Sequence, residues 1–153
     1  MEQRAREERA ANYAYWSLRV ISFLIDMLAC WMPNIVAGVV DPDNTALQVG
    51  LLAVSIALLA FNRWYLAGRT GQSWGKRLME TRLVRLDGGS GSDGEIGVLR
   101  SFLRDLAHLL DTLPCLLGWF WPLWDTRRQT FADKLAGTAV ADEAESPAAI
   151  PAR

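Results

Sequence analysis

Five ionisable residues of this 153-residue chain sit where the surrounding sequence is fit for an apolar environment. Arg19 and Asp26 lie inside LRVISFLID (18–26), and Arg104, His108 and Asp111 lie in or beside the apolar run that ends at Trp124. A full charge at the centre of a bilayer costs ~2.5–3.5 kcal/mol on insertion scales, so such groups are expected to pair or to carry protons. Arg19 and Asp26 are seven residues apart, two helical turns, which puts them on one face about 10 Å apart along the axis. Helical side chains lean toward the N-terminus, so Arg19 leans away from Asp26 and each needs a partner elsewhere. Arg104 and Asp111 repeat the spacing of seven, within a stripe formed by Arg100, Arg104, His108, Asp111 and Cys115. Packing the two segments side by side brings Arg19 to Asp111, or Arg104 to Asp26. Three chemistries follow: fixing helix docking and register, handling a proton or cation through a buried carboxylate, or contacting a solute or lipid headgroup. Arg19, a turn from Trp16, can snorkel to the headgroups. Asp26, about ten residues and roughly 15 Å into the segment by helical rise, is the harder charge to explain by solvation.

Other chemistry lacks support. His108 is the single histidine, and beside Asp105 and Asp111 it is expected to hydrogen-bond rather than bind metal. GQSWGKR (71–77) resembles a phosphate loop only superficially, since that motif requires Gly at Thr70 and a hydroxyl at Arg77. With no metal-ligand cluster, dinucleotide fingerprint or nucleophile constellation, neither an enzyme, a cofactor nor a metal is expected. Lys+Arg (16) and Asp+Glu (17) nearly cancel, so charge gives no reason to expect a nucleic-acid partner.

The elements that must position these groups are apolar helices. Hydrophobic residues make up 51% of the chain, and they are segregated. One segment runs from about 16 to 40, interrupted by Arg19, Asp26 and Pro33-Asn34. A second, 46–67, has no charge before Arg63, and its ~20 residues suffice for a hydrocarbon core of about 30 Å. DPDNT (41–45) between them is a helix stop and restart. A third, about 104–124, contains Pro114, Gly118 and Pro122, and reads as one kinked helix or as two short halves that dip in and return. The start of the chain mixes arginine and glutamate and has no cleavage site, so it is not read as a signal peptide. Cys30 and Cys115 are expected to be inert buried thiols. A soluble all-α protein would have to bury the run from Val49 to Trp64 with almost no polar face.

Basic residues set the orientation. The 41–45 loop has none, the stretch 63–104 has eight and the N-terminal tail has three, which places tail and central loop in the cytoplasm. Arg127, Arg128 and Lys134 favour the same side, so an even number of passes is expected. Six of the seven tryptophans (Trp16, Trp31, Trp64, Trp119, Trp121, Trp124) fall near proposed span ends. RLMETRL (77–83) and KLAGTAV (134–140) share a basic-Leu-x-x-Thr-x-apolar pattern, each running into strand-like alternation. DGGSGSDGE (87–95) reads as a flexible loop and 143–153 as a disordered tail. The expected architecture is an all-α membrane protein: a small helical bundle with two full spans, a kinked or re-entrant third segment and a small cytoplasmic β-hairpin-like element. Its parts are a cytoplasmic tail (1–15), a membrane domain (16–142) with spans 16–40, 46–67 and 104–124 around a cytoplasmic loop (68–103), and the C-terminal tail.

On these residues the chain resembles the RDD family of bacterial integral membrane proteins, named for one arginine and two aspartates. Arg19 and Asp26 match the first arginine and aspartate, and Asp111, with Asp105 as a rival, the second aspartate. GQSWGKRLMETRLVRLDG is similar to a family segment through Gly71, Gln72, Gly75, Lys76 and Arg77. DTRRQTFADKLAGTAVAD is similar to the closing segment through Arg127, Arg128, Asp133, Lys134, Gly137 and Thr138, although Ala132 replaces a frequent His and Lys134 a frequent Arg. The resemblance implies a multi-pass protein of the bacterial plasma membrane with a cytoplasmic N-terminus, and transport, some members being similar to cation/proton antiporters. The expected function is therefore small-ion or proton-coupled transport, with a proton or monovalent cation as ligand. The alternative is a non-catalytic accessory or assembly subunit. The expected partners are the lipid bilayer and either further copies or a larger membrane complex.

Overall fold

The structure, a computed structural model, describes residues 13–86, 96–112 and 117–142. Most of the N-terminal tail, the Gly/Ser loop 87–95, Pro114, Cys115 and the tail from 143 lie outside the described residues. Helix α1 (Trp16–Val40) spans 25 residues, and α2 (Thr45–Leu59) returns beside it. The turn between them works as its residues dictate: the Asn44 side chain caps α2 by accepting from the Leu47 N–H at 3.0 Å. Pro33 lies inside α1, and Ser55 of α2 accepts from the next backbone N–H, that of Asn34, at 3.2 Å.

Helix α2 does not end at Leu59. A π-helical segment (Ala60–Leu66) and α3 (Ala67–Thr70) continue it into one 26-residue apolar rod, Thr45–Thr70. The wide turn shifts the helical phase, so that two adjacent residues, Asn62 and Arg63, are both buried against α1 and its neighbours. Gly71, at φ 73°, ends the rod in the left-handed conformation. Ser73 then caps the short α4 (Trp74–Leu78), followed by β1 (Thr81–Arg85).

The third apolar stretch, expected over 104–124 as one kinked helix or two short halves, is described as separate short pieces. Helix α5 begins earlier, at Val98, and ends at Thr112, and its 15 residues reach only about 22 Å. Beyond the undescribed 113–116, α6 (Leu117–Phe120) and a 3-10 turn (Trp121–Leu123) fold back on the end of α5. Gly118 permits the close return: a Cβ there would lie 2.3 Å from Asp111 Oδ1. Helix α7 (Phe131–Ala136), opened by a Thr130/Asp133 capping box and closed by Gly137 at φ 63°, leads into β2 (Thr138–Asp142).

Strands β1 and β2 pair antiparallel, Thr81 opposite Asp142 and Arg85 opposite Thr138. They are joined through α5, α6 and α7, so the expected hairpin-like element is instead a two-stranded ribbon closed over a long connection. Tyr13 bridges to Ala141, and Ala14, Leu83, Ile96 and Val140 form a small apolar cluster beneath. The segment expected to be a loop (68–103) thus holds α4, β1 and the start of α5.

Burial is inverted along the long elements. Their buried residues include Ser22, Asp26, Cys30, Ser55, Asn62 and Arg63, whereas Leu24, Leu28, Val39, Val40, Val49 and Ile56 face outward. Helix α5 follows the same rule: Ser101, Arg104 and Asp111 are buried, and Leu99, Leu103, Leu106 and Leu109 form an exposed stripe.

Candidate functional site

The buried charges gather around the N-terminal half of α1. Asp26, fully buried, accepts from Ser73 Oγ at 2.5 Å, Asn62 Nδ2 at 2.8 Å and the Gly75 backbone N–H at 2.8 Å. Arg63 Nη1 stands 3.8 Å from its other side. Gly75 is required there, because a Cβ would lie 1.9 Å from the Ser22 carbonyl oxygen. Arg63 makes a bidentate pair with Asp105, at 2.7 and 2.6 Å, and lies over the Phe23 ring.

The pairings expected between α1 and α5 are not formed. Arg19 does not meet Asp111, nor Arg104 Asp26; both arginines converge on Asp133, Arg104 Nε at 2.6 Å and Arg19 through Nη2. Arg19 also donates to the Arg128 carbonyl at 2.5 Å. The reason is spatial: α7 and the residues before it insert between the two charged faces, so a carboxylate from a third element reaches both guanidinium groups. Asp111 is taken instead by His108 Nδ1 at 2.5 Å and by the Ala132 N–H at 3.3 Å, with His108 stacked on Trp119. Burial alone would raise Asp133, but Arg104 and Arg19 hold its carboxyl well below the usual carboxylate range.

Two halves of this arrangement are alike. Residues 71–85 and 128–142 follow one course, 57 positions apart. Each begins at a left-handed residue, Gly71 at φ 73° and Arg128 at φ 49°. A glutamine amide then donates to a threonine carbonyl, Gln72 to Thr81 at 3.4 Å and Gln129 to Thr138 at 2.7 Å. Ser73 or Thr130 caps a short helix, a second left-handed residue follows (Glu80 at φ 49°, Gly137 at φ 63°), and a strand completes the unit. Each short helix directs a backbone N–H, from Gly75 or Ala132, at a buried aspartate, Asp26 or Asp111, that stands seven residues after an arginine. Exchanging the halves maps the ribbon onto itself, Thr81–Asp142 onto Thr138–Arg85. Charge differs at several equivalent positions, and the pair buried on both sides is Lys76 in the first half against Asp133 in the second.

Between the halves lies a cavity of about 40 Å³ whose ionisable lining groups are Arg19, Arg63, Lys76, Arg104 and His108. Lys76 is buried and its Nζ lies 3.5 Å from Ser73 Oγ, a long contact. Burial, then the neighbouring Arg104 and Arg63, push its ammonium down to about 7 against the pull of Asp26 and Asp105.

Of the remaining motif residues, Arg77, Arg127 and Lys134 are exposed and stand apart from the cluster. Lys134 pairs with Asp125 at 2.6 Å. Arg128 lies over the Tyr15 ring and donates to the Tyr13 carbonyl. Cys30 is a free, buried thiol beside Asn62. Arg63, Asn62 and Ser73 are the participants sequence reasoning missed, and Lys76 and Asp133 entered only as motif members. The T-x-x-D capping box was a readable sign that Asp133 is oriented inward, whereas the π-helical turn that brings in Asn62 and Arg63 has no sequence signature.

The described residues thus form a mostly helical protein with two helices long and apolar enough to cross a bilayer, polar groups turned inward and a buried charge cluster beside them. The RDD family model matches residues 13–137, and the chain belongs to that family. A proline-rich antigen of Mycobacterium leprae is 31% identical over 153 aligned positions, covering 82% of this chain and 59% of the relative. A proline-rich antigen homolog of Mycobacterium tuberculosis is 40% identical over 90 residues, 58% of this chain and 35% of the relative. The chain thus spans between about a third and three-fifths of the lengths of these relatives. No solved structure matches it.

Proposed function

We propose that this RDD protein is an integral membrane protein of the bacterial plasma membrane that carries a small ion in a proton-coupled step. The observation that carries the reading is the meeting of two like half-units, each docked on a helix that carries an Arg and an Asp seven residues apart, around one charged cavity. Transport proteins commonly place their substrate site where internal repeats meet, among groups too costly to bury without a role. The inverted burial of α1, α2 and α5 supports immersion, because side chains of this kind turned outward are at home in lipid rather than water. In this topology α1 and the Thr45–Thr70 rod cross the bilayer, α5 is too short for a third crossing, and both the N-terminus and α7 face the cytoplasm.

The test is proton movement in proteoliposomes under an imposed salt gradient. Wild type is compared with Asp26→Asn and Asp105→Asn, and circular dichroism establishes that each variant is folded. Flux in wild type that is lost in a folded variant supports the proposal; a silent wild type refutes it. A second reading, an accessory or assembly module, draws on the lengths of the mycobacterial relatives, in which the matched region is one part of a longer protein. Co-purification of a silent wild type with a stoichiometric membrane partner would favour it.

A further inference from the structure

The sign of the ion is legible in the cavity. Among the described residues, every ionisable group that lines it is basic, while the carboxylates of the cluster stand behind those cations. Arg19 and Arg104 divide a single carboxylate, Asp133. Arg63 has Asp105, with Asp26 at 3.8 Å. The ammonium of Lys76 has the weakest partner of all, a hydroxyl at 3.5 Å that is itself committed to Asp26. Three ammonium protons with one long contact form a donor-rich, acceptor-poor centre, and buried donors of this kind call for an acceptor.

We infer that the cavity between the two half-units is a binding site for a compact monovalent anion, chloride or one of similar size, and that the anion is taken up together with a proton on Lys76. The volume, about 40 Å³, is that of two or three waters by the same measure, which suits a halide better than a lipid headgroup or phosphate ester. The groups that face Lys76 are Arg19 and Asp26 from α1, Arg63 from the π-helical segment, and Arg104, Asp105 and His108 from α5. Strand β1, which also packs on α4, directs Arg82 at the Thr70 carbonyl, 3.0 Å away. An anion placed among these cations supplies the charge that a protonated Lys76 lacks. The lowered proton affinity of the empty site means that proton and anion bind better together than either does alone. The buried charge difference between the halves falls at the same spot: Asp133 in one half supplies the negative charge that the Lys76 half takes from solution. Anion binding deepens the transport reading by naming the cargo, and rests on that reading only for passage across the bilayer.

The experiment is chloride binding to the full chain in detergent, read by 35Cl NMR line broadening and by thermal melting in chloride against gluconate at equal ionic strength. Chloride is expected to broaden the line and raise the melting temperature at pH 6, with apparent affinity at least tenfold weaker at pH 9. Lys76→Met abolishes both responses while circular dichroism stays as in wild type, and Lys76→Arg keeps binding but loses its pH dependence. Equal behaviour in chloride and gluconate, or chloride binding that survives in Lys76→Met, overturns the inference. Retained binding with no flux in proteoliposomes overturns the transport reading and leaves the anion site standing.

Discussion

Asp133→Asn tests the network at the point where most charge depends on one side chain. Asp133 is fully buried and is the shared acceptor of Arg19 and Arg104, both themselves largely buried. Asparagine keeps the shape and can still accept from the Thr130 N–H that closes the capping box. What it removes is the negative charge, leaving two guanidinium groups beside a neutral amide. Removing one partner of a buried ion pair costs roughly 3–5 kcal/mol, because the surviving charge stays desolvated and unpaired. At about 2–4 °C per kcal/mol for a domain of this size, the melting temperature should fall by roughly 6–20 °C. Tryptophan fluorescence of the detergent-solubilised protein reads the transition. The depressed carboxyl gives a second signature. Its stabilisation is present above the ordinary aspartate pKa of about 3.9 and is lost as pH falls through the lower folded value, so the variant should lose most of that acid-dependent limb. A double-mutant cycle isolates the contact: Arg104→Met should cost less in the Asp133→Asn background than in wild type, by about 0.5–3 kcal/mol. A shift under 2 °C together with additive single variants would refute the shared-carboxylate account.

Lys76→Met should flatten the alkaline side of the stability profile measured in gluconate. A buried amine lowered to about 7 from 10.5 leaves the unfolded chain holding more protons between those values, so wild-type stability rises with pH across that window and the variant's should not. Gly75→Ala places a methyl 1.9 Å from the Ser22 carbonyl and 3.1 Å from Asp26 Cγ, and should cost at least about 3 kcal/mol, seen as lost monodisperse protein in size-exclusion chromatography. Gly50→Ala, in α2 with nothing within 4 Å, is its control and should stabilise by up to about 1 kcal/mol. Cysteines introduced at Arg127 and Met1 in a Cys30→Ala/Cys115→Ala background should both be labelled from the cytoplasmic side by an impermeant maleimide; labelling on opposite faces would rule out two crossings.

The parts legible in the sequence were those written in local pattern. Apolar length placed the two long helices to within a few residues, Asp41 to Thr45 gave the turn, and the likeness of RLMETRL to KLAGTAV foreshadowed two strands that do pair. The third segment is expected as one kinked helix or two short halves, and composition alone does not choose between them. Its helix starts at Val98, and Gly118 lets the chain turn back onto Asp111. Pairing, by contrast, was misread. The spacing of seven correctly places Arg19 with Asp26, and Arg104 with Asp111, on helix faces, but spacing within a helix says nothing about which third element reaches those faces. Arg63 looked like the basic end of a span, because a wide π-helical turn cannot be inferred from residue type.

The repeat also explains why the charges sit where they do. In each half a short helix delivers a backbone N–H to an aspartate on a long helix, so Asp26 and Asp111 each dock a short helix through a neutral donor. Those bonds come from backbone N–H groups, so neither the Lys76 ammonium nor the Asp133 charge makes them. Opposite charges at the two equivalent positions are therefore not what docks the short helices. Placed there, Asp133 gathers both arginines, and Lys76 leaves its ammonium with a single hydroxyl for company. The asymmetry turns a docking motif used twice into one site with a definite electrical polarity. Making the two positions alike, by Lys76→Asp alone, would leave the fold's neutral bonds intact while removing the polarity. The function assigned to this cavity stands or falls on that difference.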